Sequence, residues 1–196
     1  MLFRSEFRER ITDADQFKVE ESVFDEATYG ALYKLVQDGY IEAFGGPLST
    51  GKEANVYEAL AGPAASETLE AGVRVPTPIA VERNVLVMEY IGTAAGRAKR
   101  LSEVEIENPR TAFGVVREYM RRLYQAGLVH GDLSEYNVVF HEGQLVVIDL
   151  GQAMTVHHPN HTDFLERDCE NVAAFFARQG LDVSGDQLYD AVTGGE

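Results

Sequence analysis

The sequence predicts an α+β fold of two small lobes, with a curtailed β-sheet in the N-terminal lobe and mainly helices in the C-terminal one. Three observations predict it. Residues 48–60 read as strand, turn and strand with Gly51 at the bend, and residues 84–91 (NVLVMEYI) as a further, buried strand ending at Gly92. Two helical patterns follow, one opened by Asn108-Pro109 and one by Thr162-Asp163. Between them lie residues 128–137 (LVHGDLSEYN) and 146–151 (VVIDLG), joined by two short apolar strands.

The bulk numbers bound the function. At 196 residues the chain is one domain, or one domain of two lobes, and buries a real core. Its 45% apolar and 25% charged residues are those of a globular protein in water. No run reaches the length of a membrane span, and the start MLFRSEFRER lacks the apolar core of a signal peptide, so a cytoplasmic protein without membrane contact is expected. The single cysteine, Cys169, excludes an internal disulfide and suits a buried helix position. A net charge of −15 disfavours binding to bare nucleic acid at ordinary salt. Lysine is confined to Lys18, Lys34, Lys52 and Lys99, and such an acid-rich, lysine-poor surface suits high salt, where self-repulsion is screened.

Taken in order, residues 1–22 are charged and weakly periodic, a partly ordered extension. A helix is predicted from Asp25, with Ala27, Leu32, Leu35 and Val36 at helical spacing and Gly39 as its stop. Residues 40–44 form a short strand closed by Gly45-Gly46-Pro47. In the strand–turn–strand that follows, the backbone amides at the bend are placed to cradle phosphate. Gly46 to Lys52 also fits the first seven positions of a Walker-type loop. The hydroxyl required after the lysine is Glu53 instead, and Val56 and Tyr57 suit a strand better than a helix opening, so that reading is set aside.

Residues 73–79 (VRVPTPI), with Pro76 and Pro78, form an extended edge segment. Residues 93–107 are polar and irregular, and their basic cluster Arg97, Lys99 and Arg100 reads first as a solvated loop, second as a contact for RNA or a phosphorylated partner. The helix opened by Asn108-Pro109 carries Phe113, Val116, Met120, Leu123 and Tyr124 on one face, ends at Gly127, and packs beneath residues 128–137. Strands 138–140 and 144–148 are joined at His141-Glu142-Gly143. His157, His158 and His161 lack a cysteine or acid to complete a zinc set. The helix capped by Thr162-Asp163 buries Phe164, Leu165, Val172, Phe175 and Phe176 and stops at Gly180, and residues 186–192 form a last short helix.

The chemistry sits in residues 128–151. Phosphoryl transfer from a magnesium nucleotide needs one Asp to orient the attacking hydroxyl and accept its proton, and an Asn and a second Asp to hold the metal. Asp132, Asn137 five residues later, and Asp149 at the end of an apolar strand meet that need, and H-x-D-x-x-x-x-N matches the catalytic-loop pattern of protein kinases. His130 braces the loop. Either Asp alone is a turn-capping residue, but turn chemistry does not account for both together with Asn137.

LVHGDLSEYNVVF, STGKEANVY (residues 49–57) and FLERDCENV (residues 164–172) together closely resemble the RIO-type atypical protein kinases, most nearly the Rio-one-like subfamily of archaea and eukaryotes. The resemblance runs from about Val23 to the C-terminus and implies a two-lobed, protein-kinase-like (RIO) fold: an extension at 1–22, a curtailed N-lobe at 23–92 and a C-lobe at 93–196. It implies ATP and Mg²⁺ as ligands, with Asp132 catalytic and Asn137 and Asp149 on the metal. Ser49, Thr50, Gly51, Lys52, Glu53, Ala54, Asn55 and Val56 would line the phosphates, and Ser134 would touch the γ-phosphate. Met88 would guard the back of the pocket, with Glu89, Tyr90 and Ile91 meeting adenine. The implied activity is that of a serine/threonine kinase or ATPase in maturation of the small ribosomal subunit. Its partner would be the subunit precursor, with an rRNA contact, and the protein would be a cytoplasmic monomer.

One departure stands out. Where the family carries a strand with an Ile-Lys pair, a flexible loop and a helix with a partnering Glu, this chain passes from Glu58-Ala59-Leu60 through Ala61-Gly62-Pro63-Ala64-Ala65 almost directly to residues 67–72, the tail of that helix. About fifty residues are missing by the usual size of such a lobe. A degenerate nucleotide site, a trimmed sequence, and replacement of the lysine by Lys52 remain open. Two rival functions remain with them: a non-catalytic kinase-like module that binds preribosomes, and a small-molecule phosphotransferase of the aminoglycoside-kinase type, against which STGKEANVY speaks.

Overall fold

Capping chemistry and apolar spacing set most element boundaries in the computed structural model, which describes residues 25–50, 55–61 and 72–194, with the side chains of 26, 43–50 and 55–61 left undescribed. The described chain divides into two compact units, residues 25–61 with 77–89, and residues 72–76 with 90–194.

In the first unit, helix α1 (Glu26–Gln37) opens where the Asp25 carboxylate accepts the Thr28 amide at 2.7 Å, satisfying one of the free N–H groups of its first turn. Gly39, at φ 79°, turns the chain out of it. Leu32 and Leu35 pack with Ile41, and Val36, Tyr40, Ala80, Val85 and Val87 close around them. Strand β1 (Ile41–Thr50) pairs antiparallel with β2 (Asn55–Ala61). The predicted stop at Gly45-Gly46-Pro47 does not occur. The strand runs through it, and the register shifts between Phe44 and Pro47 instead. A two-stranded ribbon has no inner ladder for proline to interrupt, and a bulge absorbs the irregularity.

Strands β3 (Pro78–Glu82) and β4 (Val85–Met88) form a second antiparallel pair, entered at Pro78, the position where a strand tolerates proline. Here too the sequence expectation needs correcting. Residues 84–91 are not one buried strand; only four of them join the ladder, and Leu86 and Met88 are 49% and 43% exposed. A two-stranded sheet covers one face: Val85 and Val87 meet the α1 cluster, and alternation turns Leu86 and Met88 outward. The Lys34–Glu82 ion pair and a 2.6 Å bond from the Asn84 amide to Thr28 Oγ1 tie this hairpin to α1.

The second unit is built on helices α2 (Pro109–Gln125), α3 (His161–Arg178) and α4 (Gly185–Thr193). Asn108 caps α2 through the Thr111 amide at 3.0 Å, with Pro109 at the first helical position. The α3 start differs from expectation. Asn160 is its cap residue, and Thr162 and Asp163 fall in the first turn, where an acid suits the helix dipole. Helix α4 has a full capping box from Ser184 and Gln187. Val116 and Met120 of α2, Leu165, Cys169, Val172 and Phe176 of α3, and Leu188 and Val192 of α4 form one core, with Phe176 edge-to-face against both Phe113 and Phe175. Cys169 is fully buried there, and burial pushes its thiol up to about 12.

Strands β5 (Gly92–Thr93), β6 (Gly96–Arg97) and β7 (Lys99–Arg100) occupy part of the irregular stretch expected at 93–107, and residues 104–107 stay outside helix and strand. Paired segments of two residues have no period to read. Arg97 forms a two-pronged pair with Glu103 at 2.7 and 2.8 Å, and Glu103 also accepts the Arg100 amide, so this basic cluster is partly neutralised from within. Those bonds hold the Glu103 carboxyl down at about 2. Strand β7 adds to a three-stranded sheet of order β10-β9-β7, in which β9 (Val138–His141) and β10 (Gln144–Val147) are joined by Glu142 and Gly143, both at positive φ, a two-residue turn matched to the strand twist.

Candidate active site

Strand β8 (Leu128–Val129), paired with β11 (Met154–Thr155), delivers the chain into the His130-Gly131-Asp132 turn. Gly131 has φ 82°, and a Cβ there would lie 2.7 Å from the Gln152 carbonyl oxygen and 3.2 Å from the Met154 methyl. Both the backbone conformation and the close approach require glycine.

His130 is 2% exposed. Its Nε2 lies 3.1 Å from the Ile148 carbonyl, and its Nδ1 accepts the Asp132 amide at 3.3 Å. A carbonyl only accepts and an amide only donates, so these partners select the neutral imidazole protonated on Nε2. Burial lowers the pKa of this histidine and agrees with that state. One ring therefore ties the residue that begins the loop to the residue before Asp149.

Asn137 closes the loop. Its Nδ2 donates to the Asp132 carbonyl at 2.8 Å and lies 3.3 Å from Asp132 Oδ2, while its backbone carbonyl accepts the Ile148 amide at 2.9 Å. Asp132 and Asn137 are thus bonded to each other, and Asp149 follows a residue bonded to both His130 and Asn137. Asp149 sits in the left-handed region at φ 61°, with Oδ1 3.3 Å from where a Cβ on Gly151 would lie. Asp132 and Asp149 are exposed and Asn137 is half-buried. With Nδ2 engaged as donor, Asn137 Oδ1 and the Asp149 carboxylate remain as hard oxygen donors, the chemistry Mg²⁺ prefers.

Sequence reasoning missed the groups that hold this loop from below. Asp168 of α3 is 1% exposed and accepts the Gly131 amide on Oδ2 at 2.8 Å and the Leu133 amide on Oδ1 at 2.7 Å. Arg167 donates to the Gly131 carbonyl, and Asn171 to the Leu133 carbonyl at 3.4 Å. Burial pushes the Asp168 carboxyl up to about 6, against the two amides and Arg167, which pull it down. A signal was present: helical spacing puts Asp168 on the buried face beside Leu165 and Val172, where a charged residue needs a dedicated partner.

The remaining candidates are dispersed along the chain. Ser134 is half-buried, with Oγ 3.4 Å from the Tyr136 amide. Ser49 pairs with Val56 and Thr50 with Asn55 at the end of the β1–β2 ladder; Gly51, Lys52, Glu53 and Ala54 lie outside the described residues. Met88 ends β4, and Glu89 exchanges bonds with Thr77 through its amide at 2.8 Å and its carboxylate at 3.1 Å. The Tyr90 ring lies against Gly92, and the Ile91 carbonyl accepts the Ala98 amide at 2.8 Å.

Comparison with known proteins adds an independent line. A model of the RIO domain matches residues 63–188. The RIO-type serine/threonine-protein kinase Rio1 of Haloferax volcanii is 56% identical over 240 aligned positions, which cover 97% of this chain and 83% of that protein. Human serine/threonine-protein kinase RIO1 is 30% identical over 94% of this chain, which spans only 42% of the human protein's length. The crystal structure of the Rio2 kinase-ADP/Mg²⁺-phosphoaspartate complex from Chaetomium thermophilum matches with a TM-score of 0.68, covering 87% of this chain and 67% of that one at 19% identity, a likeness of fold. The Haloferax alignment is longer than the part of this chain within it by about fifty positions, the size of segment expected to be missing by ordinary lobe size. The domain match starts at 63, within the stretch where the sequence departs from the family. By that match and by its identity to the Haloferax protein, this chain belongs to the RIO family of serine/threonine protein kinases, in its archaeal Rio1 branch.

Proposed function

We propose that this chain binds ATP with Mg²⁺ and transfers or hydrolyses the γ-phosphate as a RIO-type serine/threonine kinase/ATPase. The observation that carries the reading is the bonding of Asn137 to Asp132 on one side and to Ile148, next to Asp149, on the other. In this reading Asp132, exposed and steered by the Asn137 amide, orients the attacking hydroxyl or water and takes its proton as the new O–P bond forms. Asn137 Oδ1 and Asp149 hold Mg²⁺, which when bound neutralises charge on the β- and γ-phosphates. Ser134 contacts the γ-phosphate, the turn from Ser49 to Val56 encloses the phosphates, and backbone groups of Glu89 to Ile91 meet adenine beside Met88. Family membership further supports a cytoplasmic, monomeric protein that acts on the small-ribosomal-subunit precursor and contacts its rRNA.

The gap of about fifty residues favours a second reading, a non-catalytic module that binds preribosomes, because kinases place their phosphate-positioning lysine and its Glu partner in that part of the lobe. Of the lysines among the described residues, Lys34 pairs with Glu82 and Lys99 lies on β7; Lys52 is the residue proposed to take over. Calorimetry of ATP binding in high salt, with and without Mg²⁺, on this chain and on Asp149→Ala, separates the two. Micromolar binding that weakens at least about tenfold in the variant supports the enzyme, since ligand and outer-ligand changes carry that much. No binding by the folded chain leaves the module.

A further inference from the structure

The loop that carries the candidate site is anchored in two halves. Asp168, Arg167 and Asn171 hold Gly131 to Leu133 from the middle of α3. The second half, which leads into Asn137, hangs on Glu135. Its carboxylate is only 12% exposed and accepts a 2.7 Å bond from Arg178, the last residue of α3, and its backbone carbonyl accepts the Ser102 amide at 3.2 Å. Arg178 is itself placed, its guanidinium 5.8 Å over the Phe175 ring and bonded at the helix C-terminus, where a cation is favoured.

We propose that Arg178 is a positioning residue that acts through Glu135 to keep Asn137 in its bonds to Asp132 and Ile148. The inference rests on the functional reading above for its consequence, though not for its geometry. Two physical effects converge. Glu135 is two residues from Asn137, so fixing its side chain fixes the short backbone turn in which the Asn137 amide donates to the Ser134 carbonyl at 3.0 Å. The Glu135 side chain, only 12% exposed, is also steadied by its ion pair with Arg178. Removing Arg178 frees the Glu135 side chain and loosens the turn that leads into Asn137. The Arg178 side chain is 60% exposed, but the pair differs from a fully exposed one because the Glu135 side chain is only 12% exposed and the Phe175 ring flanks the guanidinium.

The test uses Arg178→Ala, Arg178→Lys, Glu135→Gln and the double variant Glu135→Gln/Arg178→Ala. Two quantities are read: amide exchange in the absence of nucleotide, and the Mg²⁺ concentration at half-maximal ATP binding. Arg178→Ala is expected to speed exchange at Asn137 and Ile148 relative to Gly131 and Leu133, which Asp168 holds, and to raise the Mg²⁺ requirement about tenfold, the low end for partners of metal ligands. Arg178→Lys is expected to recover most of both, and the double variant to match Glu135→Gln alone. Wild-type exchange at Asn137 and Ile148 in Arg178→Ala, or an effect that adds to that of Glu135→Gln, overturns the proposal. Failure of the wild type to bind ATP overturns the functional reading instead, and the exchange measurement still decides the clamp.

Discussion

Replacing Asp168 by Ala removes the acceptors of the Gly131 and Leu133 amides, both bonded at under 3 Å to a side chain that is 1% exposed. Each buried donor left unpaired costs roughly 1–3 kcal/mol, so the pair costs about 3–5 kcal/mol, including the small cavity. That is a large share of the 5–15 kcal/mol that holds a typical domain folded. Asp168→Asn keeps the volume and one acceptor oxygen but sets its amide against the second N–H, and about half that loss is expected. Urea unfolding followed by tyrosine fluorescence and circular dichroism measures both. Nucleotide binding is expected to fall more in the Ala variant than in the Asn variant, because Asp132 lies between the two bonded amides. An Asp168→Ala protein within about 1 kcal/mol of wild type would refute the reasoning, since only an alternative partner for those amides produces that result.

Other outcomes follow from single contacts. Gly131→Ala, at φ 82° and with its new methyl 2.7 Å from a backbone oxygen, is expected to lose at least about 2 kcal/mol and to weaken ATP binding, checked by the same titration and by calorimetry. Asp168 also sets a pH dependence. Its folded pKa, about 6, lies above its ordinary value of 3.8, so the protonation-linked part of its stability is fully present below about pH 4 and is lost as pH rises through 6, while the two amide bonds remain. Wild type is therefore expected to lose up to about 3 kcal/mol relative to Asp168→Asn over that window, and an equal pH slope in both would contradict it. Cys169, fully buried and with its thiol pushed up to about 12, is expected to resist thiol reagents at pH 8 until the protein unfolds, which a mass-spectrometric time course with and without urea reads directly.

Much of this molecule was legible in its residues because the chemistry behind those features is local. Asp25 and Asn108 mark helix starts since a cap and the amide it satisfies are three residues apart. Glu142-Gly143 marks a hairpin because the turn needs two positive φ angles. The spacing of Asp132 and Asn137 was readable, and their bond to each other, which the sequence reading did not name, spans only five residues of loop. Family resemblance, carried by three short segments, reached the domain match and the missing segment.

What depended on distance along the chain was not legible. Whether residues 84–91 are buried depends on how many strands flank them, and Gly45-Gly46-Pro47 breaks a strand only where an inner ladder exists to break. The amides of the candidate loop are held by Asp168 across 37 and 35 residues, and Glu135 by Arg178 across 43. Sequence alone determined which side chains this protein has for its chemistry and the local turns that present them. Only the tertiary structure decided what holds those turns still, because a hydrogen-bond donor specifies that it needs an acceptor and nothing about where in the chain that acceptor lies.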